Sequence, residues 1–330
     1  MSRNAIGFML VDAPHSALNN AGIDASERTE NIVRIKSVRK GKKVYPYVSG
    51  QAFRYWWRQT LSEKFGWNLS PLEKVEGKSQ VYTMADPLNF EDDDVFGYMK
   101  ALKKETVTRL SPLKTSPLIS VVSTYPTQDF GVAARHEGDP VPYEHEFYST
   151  VLKGIFSLDL NQVGVFYRVN KTGYKNLYEE LEGKLKVDGA VEEADKFIIA
   201  KEKRKKRIGD TINALPYLFG GAKLATHLTD VTPKLIILAV IDGGNHLFMN
   251  LVDENDGEVE FKFDALKEII REYGDILLTD VYIGKRKGFR DDWDPKFSAL
   301  NLEQSTKKII FGPLNEITKN FAEKTISLVQ

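Results

Sequence analysis

YPYVSGQAFRYWWRQTLSEKF, Tyr45 to Phe65, joins an extended aromatic segment to a helix, and the rest of the chain is read outward from it. Ser49 is placed to cap the helix, and Gly50 eases the turn into it. Phe53, Trp56, Trp57, Thr60 and Leu61 recur at helical spacing and share one face. Gln51, Arg54 and Arg58 fall on the flank, with both arginines near the helix start. A helix N-terminus offers free N–H groups and partial positive charge, which suits a phosphate, and arginines beside it add bidentate donors. Taken alone, the element is a buried amphipathic helix with two solvated arginines. The preceding residues tip the balance toward a basic edge facing an anion. Asn31–Lys64 holds nine basic residues against one acid, Glu63, a local net charge of +8.

That asymmetry is local. The 330-residue chain carries 46 Lys and Arg against 46 Asp and Glu, so bulk charge does not announce a nucleic-acid partner. A hydrophobic content of 42% is enough for a sizeable core. There is no cysteine, which excludes disulfides, thiolate catalysis and Cys-ligated metal sites. The first residues lack the apolar length of a signal peptide, and no apolar run is long enough to cross a bilayer. A soluble cytoplasmic protein with no membrane partner is expected.

Ala5–Val11 is a nearly continuous apolar run and predicts a central strand. Asp12–Thr29 is expected to be an ordered loop, turning at Asn19-Asn20-Ala21-Gly22. Asn31–Val38 alternates, which predicts a half-buried strand presenting Arg34 and Lys36 on one face, with Gly41 at a hairpin tip and Lys43–Val48 returning. Residues 66–110 are expected to be an insertion with small helices, one near Asp94–Lys103. Its acidic run, Glu91 to Asp94, reads as a solvated loop or helix start rather than a metal site. Residues 111–147 are broken by five prolines and predict a long β-excursion with arms at Leu118–Ser123 and Asp129–Ala134. Phe156, Leu158 and Leu160 alternate as a strand with one buried face. Residues 171–209 form a charged helical insertion ending in KEKRKKR, Lys201–Arg207, either a solvated helix face or a nucleic-acid contact. Asp210–Leu228 is expected to be a helix interrupted at Gly220-Gly221. Pro233–Ile241 is a strand, Phe248–Leu251 another, Ala265–Tyr273 a helix, Ile276–Tyr282 a strand, and the last 30 or so residues a docked helix. The order predicts an α+β fold, an antiparallel sheet backed by helices, with a ferredoxin-like or RRM-like core expanded by insertions.

Catalytic signatures are absent. There is no Walker A, no G-x-G-x-x-G, no G-x-S-x-G and no His-Glu-x-x-His. His136-Glu137 and Glu144-His145-Glu146 match no metal-ligand spacing and read as surface polar residues, so neither a metal nor a cofactor is expected. Asp12 and Asp24, beside the basic strand, are carboxylates of the kind that serve phosphodiester cleavage, although turn residues are the commoner use.

The combination resembles the backbone subunit of CRISPR Cascade complexes, the Cas-seven family, in its type I-B, DevR-like branch. The resemblance rests on Leu18-Asn19-Asn20, Tyr45–Arg58, Ser111–Ser120, Asp129-Phe130-Gly131, His145–Thr150 and Gly220-Gly221-Ala222. It extends to about residue 240. It implies a right-hand shape: an RRM-like palm, helical fingers and a β-hairpin thumb. It also implies a non-enzymatic role, in which copies stack head to tail along guide RNA (crRNA), associate with other Cascade subunits and leave bases free to pair with target DNA. The RNA-contacting positions implied are Asn19 and Asn20 in the loop, Arg34 and Lys36 on the palm, and Ser49, Gln51, Arg54 and Arg58 at the helix start. Lys114 and Phe130 would lie on the thumb, and Gly221 would allow close backbone approach. The rival reading is a type III-like subunit that cleaves target RNA with Asp12 or Asp24; a stand-alone RNA-binding protein is a third.

Overall fold

The computed structural model describes residues 2–23, 32–74, 81–102, 105–133, 138–300 and 306–330. The strands and helices follow in chain order. They begin with β1 (Arg3–Ser16), β2 (Asn20–Ile23), β3 (Ile32–Ile35), β4 (Ser37–Lys40), β5 (Lys43–Val48) and α1 (Gly50–Phe65). An insertion follows, with β6 (Leu72–Lys74), β7 (Val81–Thr83), α2 (Glu91–Phe96), β8 (Tyr98–Ala101) and β9 (Thr106–Arg109). The chain then returns to the body through β10 (Leu113–Thr115), β11 (Leu118–Ser120), β12 (Thr127–Ala133), β13 (Val141–Asp159) and β14 (Val165–Tyr167). A second insertion holds α3 (Glu179–Val187), β15 (Val191–Glu193), β16 (Lys196–Ile198) and the start of α4 (Lys201–Asn213). The C-terminal part adds α5 (Leu224–His227), β17 (Leu235–Asp242), β18 (Val252–Asn255), β19 (Glu258–Phe261), α6 (Phe263–Glu272), β20 (Val281–Lys285), α7 (Asp294–Ser298), β21 (Ile309–Pro313) and α8 (Leu314–Ser327).

The main sheet runs in the order β21-β20-β17-β1-β13-β11-β5-β4. Its pairings are antiparallel except β20 with β21, and a side pairing of β3 with β13. The run Ala5–Val11 places β1 at the centre, between β13 and β17. It is apolar throughout because both faces are covered. Ala5, Met9 and Val11 face one core, with Phe53 and Trp57 of α1, Ile208 and Ile212 of α4 and Phe321 of α8. Ile6, Phe8 and Leu10 face the other, with Leu266 and Ile270 of α6 and Phe297 of α7. The architecture is therefore mixed α/β, with a large, mainly antiparallel sheet and helices on both sides.

Several local expectations are corrected. Asp12–Ser16 continues β1, and of the turn expected at Asn19–Gly22 all but Asn19 lies in the strand β2. Asn31–Val38 is two strands, β3 and β4, parted at Lys36, whose N–H donates to Asn19 O at 3.1 Å. Residues 98–101, expected as helix, form β8 in a hairpin with β9. The acidic run does open a helix, but Asp92, Asp93 and Asp94 are buried rather than solvated. Asp94, fully buried, accepts from Arg207 Nη1 at 2.7 Å and Gly164 N at 2.9 Å and pairs with Arg109. These partners come from residues 109, 164 and 207, so neither local composition nor spacing announces them. KEKRKKR is likewise only half solvated. Arg204 is buried and donates to Val163 O at 2.8 Å, and Arg207 belongs to the Asp94 node. The insertion at 171–209 is helical only in part, since β14, β16 and β15 form a small sheet of their own. After α4 comes a short turn of helix, Leu215–Tyr217, so Asp210–Leu228 is not one helix. Phe248–Leu251 is not a strand; β18 starts at Val252.

The long hairpin is present with shifted arms. Thr127–Ala133 pairs with Val141–Phe147, while Leu118–Ser120 belongs to the main sheet beside β5 and β13. The arm at β13 is continuous with the core strand, so the hairpin runs on from the main sheet.

Candidate nucleic-acid interface

Helix α1 forms as its sequence dictates. Ser49 accepts from Ala52 N at 3.3 Å, and Gly66 ends the helix in the left-handed region at φ 69°. Phe53, Trp56, Trp57, Thr60 and Leu61 are its buried face. The Trp57 ring meets Phe156 edge-on at 5.2 Å, and its N–H donates to Thr211 O at 2.9 Å. The helix start is thereby fixed, with Gln51 exposed and the first N–H groups outside the intrahelical ladder.

Four distant stretches are linked to one another near the segment that leads into this helix. Asn19 Nδ2 donates to Tyr47 O at 3.4 Å, and Tyr47 N donates to Lys36 O at 2.9 Å. Ala222 N donates to Leu18 O at 3.1 Å, closing the loop at residues 220–223 onto the segment before Asn19. Both glycines there hold positive φ and leave little space for a side chain. A Cβ on Gly220 (φ +147°) would stand 2.2 Å from Trp56 Cδ1, and one on Gly221 (φ +116°) 2.7 Å from Leu18 Cδ2. The fourth stretch is the hairpin base. His145 and Phe147 lie 5.9 and 6.0 Å from the His227 ring, and His227 Nδ1 bonds His15 O at 2.6 Å. Burial and then the Lys223 charge hold the His145 pKa below its usual value, opposed by Asp129. Lys223, two residues past Gly221, therefore stands at the hairpin base, and its own pKa is lowered by burial. Sequence reading passed over Lys223 although it directly follows the Gly-Gly-Ala motif.

The expected contact residues do not all lie together. Asn19 and Lys36 meet at Tyr47, two residues before Ser49, Gly221 lies in the loop bonded to Leu18, Gln51 is exposed in the first turn of α1, and Asn20 is exposed on β2 opposite Ile35. Among the described residues no carboxylate pairs with Lys36. Arg34 is different: it pairs with the buried Glu146 at 3.4 Å, and Ile35 N donates to the same carboxylate at 3.0 Å. Arg54 and Arg58 do not present a free basic edge. Arg54 donates to Phe96 O at 2.7 Å, to Ser111 Oγ at 3.0 Å and to Leu113 O. Burial, followed by the Arg58 charge, pulls its pKa down to about 10. Arg58 lies over the Phe96 ring at 4.4 Å and 3.7 Å from Asp92. Both arginines tie residues 91–113 to α1, because the carbonyls they need arrive from the insertion.

Lys114 is exposed, but it lies on β10 opposite Ser157 in the main sheet, away from the hairpin. Phe130 is on the hairpin, opposite Glu144 and 62% exposed. Val132, Val141 and Tyr143 are exposed beside it. Glu144-His145-Glu146 is not a surface polar patch, since Glu146 is buried, and His136 and Glu137 lie outside the described residues. No cluster of three or more metal-ligating side chains occurs among the described residues. Asp12 lies within β1 opposite Val151, not in a loop, and burial raises its pKa against the opposing Lys234 charge. Asp24 lies outside the described residues. Among the described residues no helix is long and apolar enough to cross a membrane.

The fold extends beyond the motif-bearing part of the sequence. A chain of a solved structure described as a CRISPR RNA-guided surveillance complex, pre-nicking, aligns over 99% of this chain and 100% of its own, at 12% identity and a TM-score of 0.58. A second, described as a CRISPR RNA-guided surveillance complex, aligns over 98% of each chain at 11% identity and a TM-score of 0.54. No curated protein matches the chain. The family model for the CRISPR-associated negative auto-regulator DevR/Csa2 matches residues 14–259, which include the hairpin and the loop at residues 220–223. The chain belongs to that DevR/Csa2 family.

Proposed function

We propose that the protein is the non-enzymatic guide-RNA-binding backbone subunit of a type I Cascade surveillance complex. Copies stack head to tail along crRNA, with other Cascade subunits at the ends, and present the guide for pairing with target DNA in antiviral defence or other RNA-guided targeting. The main sheet serves as an RRM-like palm, the insertions as fingers, and the hairpin carrying Phe130 as a thumb that wedges between nucleotides. The protein works in the cytoplasm.

The observation that carries this reading is that hydrogen bonds join Asn19 and Lys36 to Tyr47, two residues before the Ser49 cap, and join the loop of Gly221 and Lys223 to Leu18 beside Asn19. This corner offers a helix N-terminus, backbone N–H groups and unpaired lysine, which hold phosphates without reading bases. Base pairing supplies the sequence specificity, so a backbone-binding surface is sufficient. Membership of the DevR/Csa2 family supports it. For the cleaving alternative, Asp12 is a poor candidate because it is a strand residue within the sheet.

The test is binding to guide RNA as salt is raised. Each phosphate contact on a single strand contributes about −0.7 to the slope of log K against log salt. Lys36→Ala and Lys223→Ala are each expected to flatten the slope by about that amount. Unchanged slopes in both would remove the corner from the interface.

A further inference from the structure

Beyond that corner lies a cleft that none of the expected contact residues explains except Arg34. It measures about 480 Å³ and lies between the β4–β5 hairpin and the segment Tyr125-Pro126. Ser37, Arg39 and Lys42 line one wall, Tyr125 the other, and Ile35 with Glu146 the floor. Arg39 and Lys42 are exposed, and among the described residues no carboxylate pairs with either. The floor carboxylate is not a free negative charge, because Glu146 is buried and already bonded to Ile35 N and Arg34.

Charges on an edge strand such as β4 have an ordinary use, since they discourage edge-to-edge aggregation. Tyr125 has no such use. The residue is 66% exposed, yet it is held: its hydroxyl donates to Lys42 O across the cleft. The backbone beneath is held as well, with Thr124 N donating to Val44 O at 2.8 Å and Val44 N donating to Ser123 Oγ at 3.2 Å. An exposed aromatic face, anchored at both ends and flanked by unpaired cations, is the arrangement that binds unstacked nucleobases.

We infer that this cleft is a single-nucleotide slot of the RNA path, in which Tyr125 stacks a splayed base and Arg39 and Lys42 hold its flanking phosphates. The inference rests on the guide-RNA reading and adds a site to it. Arg39 supplies a planar fork for phosphate oxygens, while Lys42 acts as a point charge. The slot is indifferent to base identity, because every base has a face to stack. Its place at the root of β12 puts it where the hairpin leaves the sheet, so a base displaced by the hairpin has somewhere to go.

The experiment uses the full chain and a single-stranded oligouridylate, measured by fluorescence anisotropy over a range of salt. Tyr125→Ala is expected to weaken binding roughly 5- to 150-fold, the size of one stacked base, with the salt slope unchanged. Tyr125→Phe keeps the ring and is expected to retain most of the affinity. The pair Arg39→Gln with Lys42→Gln is expected to flatten the slope by about 1.4. Ultraviolet crosslinking should join uridine to Tyr125 in the unaltered protein, a readout that does not depend on any variant folding. If the wild type binds RNA but Tyr125→Ala and the double variant bind equally well, with no crosslink at Tyr125, the slot is refuted and the wider reading stands. If the wild type binds no RNA, both fall.

Discussion

Asp94→Ala should destabilise the protein more than any surface change, and the reason can be worked from its surroundings. The side chain is fully buried and neutralises Arg109 and Arg207, whose side chains are 1% and 5% exposed. It also accepts from Gly164 N at 2.9 Å. Arg109 retains other acceptors, Gln162 O at 2.7 Å and Val165 O at 2.8 Å, and lies over the Phe166 ring. Those bonds satisfy its donors but not its charge. Removing one partner of a buried ion pair costs about 3–5 kcal/mol, chiefly because the remaining charge is stranded. At this chain length about 2 °C accompanies each kcal/mol, so the melting temperature should fall by roughly 5–10 °C. Urea denaturation followed by circular dichroism and fluorescence would measure it. A double variant, Asp94→Ala with Arg207→Met, should recover part of the loss by removing one stranded cation. A fall below about 1 kcal/mol for Asp94→Ala would refute the reasoning, because the arginines would then be reaching water.

Gly220→Ala should cost about 1–3 kcal/mol from overpacking against Trp56, whereas Gly243→Ala, also at positive φ but with open space around it, should cost less; thermal melts compare them. Burial pushes the Asp92 carboxyl up to about 6, opposed by hydrogen bonding and by Arg58. A carboxyl raised in the folded state binds its proton more readily there than in the unfolded chain, so its burial penalty is relieved as pH falls from about 7 toward 4. Asp92→Asn lacks that titration, and its stability relative to wild type should decline over the same window by at most about 1.4 kcal/mol per pH unit in urea melts. Phe130→Ala, at an exposed position, should leave the unfolding free energy within about 0.5 kcal/mol of wild type but reduce the number of copies assembled on one guide, read by native mass spectrometry.

How much of this was legible differs from element to element. Helix α1 was readable in full, cap and buried face together, because both are written within 17 residues of one another at a fixed period. The central strand β1 and the strand β17 were readable from uninterrupted apolar runs, and α6 was expected at nearly its place; the closing helix α8 is shorter than expected because β21 precedes it, and the strand expected at Ile276–Tyr282 begins only at Val281. The insertion at 66–110 was not, since its strands are three or four residues long and too short to show alternation. The acids at 92–94 read as solvated because their partners lie at residues 58, 109 and 207. Arg54 and Arg58 failed the same way: helical spacing sets their direction, but not that Phe96 and Leu113 bring carbonyls to meet them. The hairpin was foreseen from its prolines, yet its arms were misplaced, because proline marks where a ladder breaks and not which strands pair. At the corner, the Asn19, Gly221 and helix-start motifs were each weak, and only the fold brings them together.

The central claim is that copies of this chain line up on guide RNA. The most direct measurement is to co-express the full chain with a CRISPR array and its neighbouring genes, weigh the purified assembly and sequence the RNA it carries. The account predicts a multi-copy complex holding one discrete repeat-spacer RNA, able to bind complementary DNA and leaving complementary RNA uncut. A monomer with random RNA or none, or an assembly that cuts complementary RNA at regular intervals, would contradict it.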